Sequence, residues 1–227
     1  MNRLGTLERA IAGQRREQLR AVLDRSLFPA VVYRRNAMLI LRAERLKPLP
    51  RPLPSITVRW GSPADEPFLQ RLRPRGEGYG HHFAAGRLLI LGESGEGEPI
   101  SCNWVDLGGV HVSRPNGYRF RFGRGAAWIF GAEVAPRFRF AGGFHKHFAE
   151  ALRLLAERGV TRVYGSVQLD NPPSVNAHLR LGFEPLWRFR VLRLLGLIWH
   201  EARPAEGRAF AVDRGFGRWD GHDPETR

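Results

Sequence analysis

Two stretches of the sequence decide the fold: residues 134–144 read VAPRFRFAGGF, and residues 171–183 read NPPSVNAHLRLGF. The first lies between a strand predicted over Ala126–Ala135 and an amphipathic helix that ends before Gly159. The second opens another helix, whose early prolines are tolerated because the amides of a first turn have no partner within the helix. Apolar and polar residues alternate over 160–168, which predicts a strand between the two helices.

The first stretch has the composition of an anion-binding turn. Free amides and the positive end of the helix dipole at a helix start attract phosphate, and Arg139 can add a forked contact. Gly142 and Gly143 carry no side chain where a phosphate group would have to approach closely. Taken alone, glycines in a strand-to-helix turn are explained equally well by a purely structural turn. What points to a function is the second stretch, which follows the first after one helix and one strand.

The two stretches together resemble a known family of acyltransferases. Residues 171–183 resemble the Asn-x-x-Ser/Ala signature that ends in Leu-Gly-Phe in the GNAT superfamily, and residues 134–144 resemble its Arg-x-x-Gly-x-Gly pyrophosphate loop after Val-x-Pro. The resemblance is specific over about Ala126–Phe189 and diffuse over 55–125. It implies an α/β fold with a mixed, twisted β-sheet flanked by helices and with splayed central strands. It also implies an N-acyltransferase, with acetyl-CoA or another acyl-CoA as donor and a primary amine as acceptor.

The resemblance also implies where the donor binds. The pantetheine arm would insert between the splayed strands and hydrogen-bond to the backbone around Val134, and the loop would hold the pyrophosphate. The residues implied for donor binding are Val134, Arg139, Phe140, Ala141, Gly142, Gly143, Phe144, Asn171, Ser174 and Arg180. Phe144 stands where the family usually has glycine or alanine, so its side chain must point away from the donor into the helix packing.

His178 stands where the family usually has a tyrosine that protonates the departing thiolate. A histidine can do the same, because its ordinary pKa of about 6.5 lies below the roughly 8.5 of a thiol. The alternative is a histidine that only packs in the groove.

A general base is also needed, on the acceptor side. Glu133 is the first candidate because it lies next to the strand that would hold the donor, and His111 and Asp106 follow it. The alternative for Glu133 is a strand carboxylate paired with an arginine. A base that acts only through ordered water is a further possibility.

Composition limits the other classes of function. Of the 36 basic residues among 227, 34 are arginines, and the formal net charge is +14. Such a surface suits phosphate esters, anionic headgroups or an acidic acyl carrier protein as partner. Arginine-rich composition can equally reflect genomic base content. The arginines are scattered along the chain, so nucleic-acid binding is not expected. The rival interpretation is a non-catalytic module of the same fold that binds a nucleotide ligand, nucleic acid or an anionic surface.

The single cysteine, Cys102, excludes an intramolecular disulfide and a thiolate-only zinc site, which fits a cytoplasmic location. The histidines lack the ligand spacing of a metal site, so no metal is expected. The sequence predicts neither a signal peptide nor a membrane span. The predicted division is an N-terminal extension over 1–54, an acyltransferase domain over 55–200 and a flexible tail over 201–227. The extension comprises a helix over about Thr6–Leu27, a strand region and a proline-rich connector.

Overall fold

The computed structural model describes residues 33–44, 55–139 and 142–225. Its strands are β1 (Tyr33–Ala43), β2 (Thr57–Gly61), β3 (Leu88–Glu93), β4 (Pro99–Asp106), β5 (Val110–Ser113), β6 (Tyr118–Arg121), β7 (Ala126–Val134), β8 (Arg162–Gln168), β9 (Glu184–Leu194), β10 (Leu197–Pro204), β11 (Asp213–Phe216) and β12 (Trp219–His222). Its α-helices are α1 (Glu66–Leu72), α2 (Gly80–Ala84), α3 (Pro136–Arg139), α4 (Gly143–Ala156) and α5 (Pro172–Leu181), and a 3-10 turn, Pro63–Asp65, precedes α1.

Nine strands form one mixed sheet in the order β11-β10-β9-β1-β8-β7-β4-β3-β2, and three form a small sheet in the order β12-β6-β5. β7 and β8 are parallel, whereas the other neighbours in the large sheet are antiparallel. The predicted mixed sheet with flanking helices is confirmed.

The first strand fills a slot in the middle of the sheet. β1 pairs with β8 through Ala43 and Val163, and with β9 on its other side. Part of the predicted N-terminal extension therefore belongs to the same sheet as the predicted acyltransferase domain. The helix predicted over Thr6–Leu27 and the connector over 48–54 lie outside the described residues, as do Phe140 and Ala141.

The two faces of the large sheet carry different cores, because successive strand residues point to opposite sides. On one face, here called the α4 face, Ile129 of β7 packs with Phe148 and Leu155 of α4. On the opposite face, called the Trp128 face, Trp128 packs with aromatic residues of the large and small sheets. Helices α1 and α2 also lie on the Trp128 face, where they cover Trp104 of β4 and its neighbours.

The C-terminal segment differs from the flexible tail that the sequence predicts. β11 extends the large sheet by pairing with β10, and β12 pairs with β6. Asp223 is buried, and its carboxylate accepts hydrogen bonds from the Tyr164 hydroxyl at 2.8 Å and from Arg42 at 3.1 Å. A charge-assisted contact in a buried place ties the segment to the sheet. The segment has no apolar period from which its strands could have been predicted.

Candidate active site

The central strands separate where the resemblance places the donor. β7 and β8 pair at three positions only, from Ala126 opposite Arg162 to Trp128 opposite Tyr164. Both strands continue beyond this point, β7 to Val134 and β8 to Gln168, without pairing to each other. The predicted splay is confirmed, and it leaves backbone groups of β7 without a neighbouring strand on that side.

A β-bulge lies within the splayed part of β7. The register with β4 shifts between Cys102 opposite Glu133 and Trp104 opposite Phe130, so Gly131 and Ala132 together face one residue of β4 and β7 carries one extra residue. Gly131 has a φ of 60°, which only glycine adopts without strain. Both residues are exposed although β7 lies in the interior of a nine-stranded sheet. The backbone of β7 is therefore exposed at this point.

The predicted pyrophosphate loop leads from β7 into α4. Gly142 caps the helix with a φ of 86°, and a Cβ on Gly143 would lie 2.8 Å from the Phe138 carbonyl oxygen, so both glycines are required by the backbone. Nε of Arg139 donates to the Val134 carbonyl at 2.8 Å. That contact orients an otherwise exposed guanidinium beside the loop, with its terminal amino groups still available to an anion.

The implied donor residues of α5 lie at its start and on its outer surface. Asn171 is the N-cap, and its side-chain oxygen accepts from the Ser174 amide at 3.2 Å. Arg180 is exposed, and Val134 at the end of β7 is buried. Phe144 packs inward, with its ring 4.4 Å from that of Phe148.

His178 lies inside an aromatic cage. Its ring centre is 5.0 Å from that of Phe144, 5.8 Å from Phe148 and 5.2 Å from Phe183. Nδ1 lies 2.8 Å from the Ser174 carbonyl oxygen, so Nδ1 carries the proton and donates it. Burial lowers the pKa of His178, and the carbonyl contact opposes this only partly. A neutral ring of this tautomer presents a lone pair at Nε2, and this favours packing over proton donation.

Glu133 forms an ion pair with Arg73 at the end of α1. This is the arrangement expected of an ordinary strand carboxylate. Its register partner, Cys102, is buried, and burial raises the pKa of the Cys102 thiol to about 12, so that side chain is an inert core residue.

Asp106 and His111 come together on the Trp128 face. Nδ1 of His111 donates to the Asp106 carboxylate at 2.6 Å, and Arg87 donates to the other oxygen of the same carboxylate at 3.2 Å. The His111 ring stacks on Trp128 at 4.8 Å with an interplanar angle of 5°, and it lies 4.9 Å from the Phe130 ring. The dyad thus stands where the pairing of β7 and β8 ends.

The Asp106–His111 dyad has the properties of an oriented base. Burial lowers the pKa of His111, whereas the Asp106 carboxylate opposes that shift. The ring is therefore neutral near pH 7, with Nε2 free of the proton, and the carboxylate stabilises the imidazolium once a proton arrives. The sequence named both residues as candidates, but their contact could not be read from it.

His82, a buried histidine that was not among the candidates from the sequence, also lies next to Phe130. Its Nδ1 lies 2.6 Å from Arg87, and its ring is 5.6 Å from that of Phe130. Burial is the largest cause that lowers the pKa of His82 to about 4, so this ring is neutral. No sequence signal separates it from the neighbouring His81.

Comparison with known proteins gives structural matches only. No protein-family model matches the sequence, and no curated protein matches it. A solved structure of AAC(6')-Iy with a bisubstrate analogue of CoA is 20% identical, with a TM-score of 0.45, over 58% of this chain and 92% of that one. The aminoglycoside 6'-N-acetyltransferase of Acinetobacter baumannii is 16% identical, with a TM-score of 0.42, over 71% of this chain and 100% of its own.

A third match is the ribosomal-protein-S18-alanine N-acetyltransferase of Escherichia coli, which is 14% identical with a TM-score of 0.44 over 69% of this chain and 100% of its own. The chain is similar to GNAT acetyltransferases. This is the family that the two sequence stretches predict.

Two kinds of feature are absent from the part of the chain that the structure describes. None of the helices there is both long and apolar enough to cross a membrane. No group of three or more His, Cys, Asp or Glu side chains in the same ranges is placed to hold a metal ion.

Proposed function

We propose that the protein transfers an acyl group from acyl-coenzyme A to a primary amine. The observation that carries this proposal is the splay of β7 and β8, which exposes the Gly131–Ala132 bulge between a glycine loop and the Asp106–His111 dyad. A donor thioester supplies an activated carbonyl carbon when bound. The chain must then take a proton from the amine, stabilise negative charge on the carbonyl oxygen and hold the diphosphate.

For donor binding, we assign the hydrogen bonds to the diphosphate to the amides of the 140–144 loop and to the terminal amino groups of Arg139. Asn171 and Ser174 at the start of α5 border this region, and Arg180 lies on the outer surface of the same helix. The positive end of the α4 dipole acts in the same direction. We assign to the backbone amides of Gly131 and Ala132 the hydrogen bonds to the carbonyl oxygen as negative charge develops on it.

For proton transfer, the proposal assigns the base to His111. Nε2 accepts the proton of the attacking amine, directly or through one water, and Asp106 stabilises the charge that forms on the ring. Arg87 fixes the orientation of the Asp106 carboxylate. Glu133, the first candidate from sequence, is engaged by Arg73, and it serves as the rival base in the test below.

Protonation of the leaving group needs a donor that holds a proton at neutral pH. The lowered pKa of His178 and its Nδ1–H tautomer leave no proton on Nε2. We therefore assign that proton to solvent and a packing role to His178.

Titration calorimetry with coenzyme A tests the donor site. Replacing Arg139 with alanine should weaken binding by about 1.5 to 3 kcal/mol, the range for a charged hydrogen bond, which corresponds to about 10- to 150-fold. Arg137→Ala is the matched control, because Arg137 pairs with Glu98 and lies over the Phe138 ring, and it should leave affinity nearly unchanged.

Equal affinities of all three proteins for coenzyme A would contradict the loop assignment. A panel of amine acceptors with acetyl-CoA then tests the reaction itself. Tight binding of coenzyme A without transfer to any amine would favour the non-catalytic module.

A further inference from the structure

Exposed apolar side chains cluster at the β9–β10 end of the large sheet. We define the leucine patch as Leu194, Leu195, Leu197 and Phe216, which are 48%, 73%, 67% and 81% exposed. Leu194 is opposite Leu197 in the register, so both lie on one face, and Trp199 of β10 is opposite Phe216 on the same face. A folded protein in water rarely leaves such a group together without a contact to make.

The turn at the tip of the patch places a leucine where the backbone disfavours it. Leu195 has a φ of 49° and Gly196 a φ of 83° in the two-residue turn between β9 and β10. Asparagine, aspartate or glycine is the usual residue at such a position, and a leucine there carries backbone strain. An exposed, strained leucine contributes nothing to the core, so its role lies outside the fold.

Arginines border the patch on the same face. Glu201 is opposite Arg190 on β9 and Arg214 on β11, and both guanidinium groups are more than half exposed. Arg203, two residues further along β10, donates to Glu201 as well. One buried carboxylate therefore faces three guanidinium groups, and the border keeps a positive charge.

The leucine patch lies at the same edge of the sheet as the open end of the splay. β7 and β8 are parallel, and β1 runs antiparallel to both β8 and β9. The carboxyl ends of β7, β8 and β9 therefore meet at one edge, where Val134, Gln168 and Leu194 are the last residues. A surface that contacts the patch would lie beside the entrance of the cleft.

We propose that the leucine patch docks on an anionic phospholipid surface, with its apolar side chains in the acyl boundary and the arginines on headgroup phosphates. Charge favours this occupant over a second copy of the chain, because two copies at +14 each repel one another. The side chains at the projecting hairpin tip point outward. A leucine inserted in the membrane buries apolar surface that no part of the described chain covers. The inference is independent of the acyl-transfer proposal.

Vesicle flotation with the full-length protein tests the proposal. Wild-type protein should float with vesicles that contain about a third phosphatidylserine in phosphatidylcholine, and it should not float with phosphatidylcholine alone. The double variant Leu195→Asn, Leu197→Asn should bind the anionic vesicles at least about tenfold more weakly, since two inserted side chains are lost. Arg190→Gln with Arg214→Gln should weaken binding similarly, and more so at low salt.

The matched control is Arg121→Gln with Arg153→Gln, which removes the same charge at exposed positions outside the patch. It should retain wild-type binding. Equal losses in the control and the patch variants would overturn the proposal in favour of unspecific charge attraction, as would flotation with neither vesicle. Patch-dependent dimers in sedimentation would assign the patch to a second copy instead. Coenzyme A affinity, measured in parallel, reports separately on folding and on the donor site.

Discussion

Two buried histidines lie on opposite faces of the sheet next to the splay, and they differ in one partner. His178 on the α4 face gives its Nδ1 proton to the Ser174 carbonyl, whereas His111 on the Trp128 face gives its Nδ1 proton to the Asp106 carboxylate. A carbonyl dipole does little for an imidazolium, while a carboxylate stabilises it strongly. Burial alone therefore does not make a histidine inert, because an anionic partner on the first ring nitrogen makes protonation of the second less unfavourable.

The largest expected effect is on His111. His111→Gln should lower kcat by about 10²- to 10⁴-fold, the range for a general base, and should leave coenzyme A affinity unchanged. In the wild type, kcat/KM should decrease as the pH drops below the pKa of His111, because protonated His111 cannot accept a proton. Burial places this pKa below the ordinary 6.5. Asp106→Asn should move this decrease in kcat/KM to still lower pH, since the Asp106 carboxylate raises the pKa of His111.

Steady-state kinetics with the first acceptor found will check this, and Glu133→Gln in the same assay discriminates the two bases. A large loss of kcat in Glu133→Gln with a normal rate in His111→Gln would assign the base to Glu133.

A third buried histidine extends the comparison to stability. His147 on α4 contacts only neutral groups: Nδ1 accepts from the Ser101 hydroxyl at 2.8 Å, and Nε2 donates to Asn103. Burial lowers the pKa of His147 to about 3, whereas in the unfolded chain it stays near 6.5. Below pH 6.5 the unfolded state therefore binds a proton that the folded state does not, and stability falls by about 1.4 kcal/mol per pH unit.

Urea unfolding at pH 7 and pH 5 measures this term. Between these values the wild type should lose about 2 kcal/mol more than His147→Gln, which has no group to titrate there. Parallel losses in both proteins would mean that His147 is protonated in the folded state.

The smallest expected effect is at His178. His178→Phe should keep turnover within about threefold and leave donor affinity unchanged, because a phenylalanine fits among the aromatic rings and no proton is lost. His178→Tyr should behave alike. A marked fall in kcat of His178→Phe with intact coenzyme A binding, and a normal kcat of His178→Tyr, would identify His178 as the acid. The histidines on both faces of the sheet would then take part in proton transfer.

Local patterns in the sequence predicted the helices and strands of the second half well. The helix before Gly159 and the strand after it follow from periodicity. The splay followed from the resemblance of two motifs to a family.

The parts that were missed depend on contacts between distant residues. Asn36 on β1 contacts Asn116, and Asp220 on β12 pairs with Arg121 on β6, and neither pairing leaves a local signal. Two strands of the small sheet, β5 and β6, lie in a glycine- and arginine-rich stretch whose alternation is too short to recognise, and the third, β12, lies far away in the C-terminal segment. The Arg73–Glu133 ion pair, which decides how Glu133 is interpreted, is likewise a tertiary contact.

The position of β1 has a consequence for how the chain folds. Ala43 pairs with Val163 and Tyr33 with Leu194, so β1 can pair only after strands that are synthesised much later than itself. Pairings so distant along the chain slow folding. Until β1 pairs, β8 and β9 each have an unpaired edge, and the two edges face one another. The β1 of another chain can pair with them equally well. Refolding at high concentration should therefore yield strand-swapped dimers, whereas dilute refolding should yield monomers.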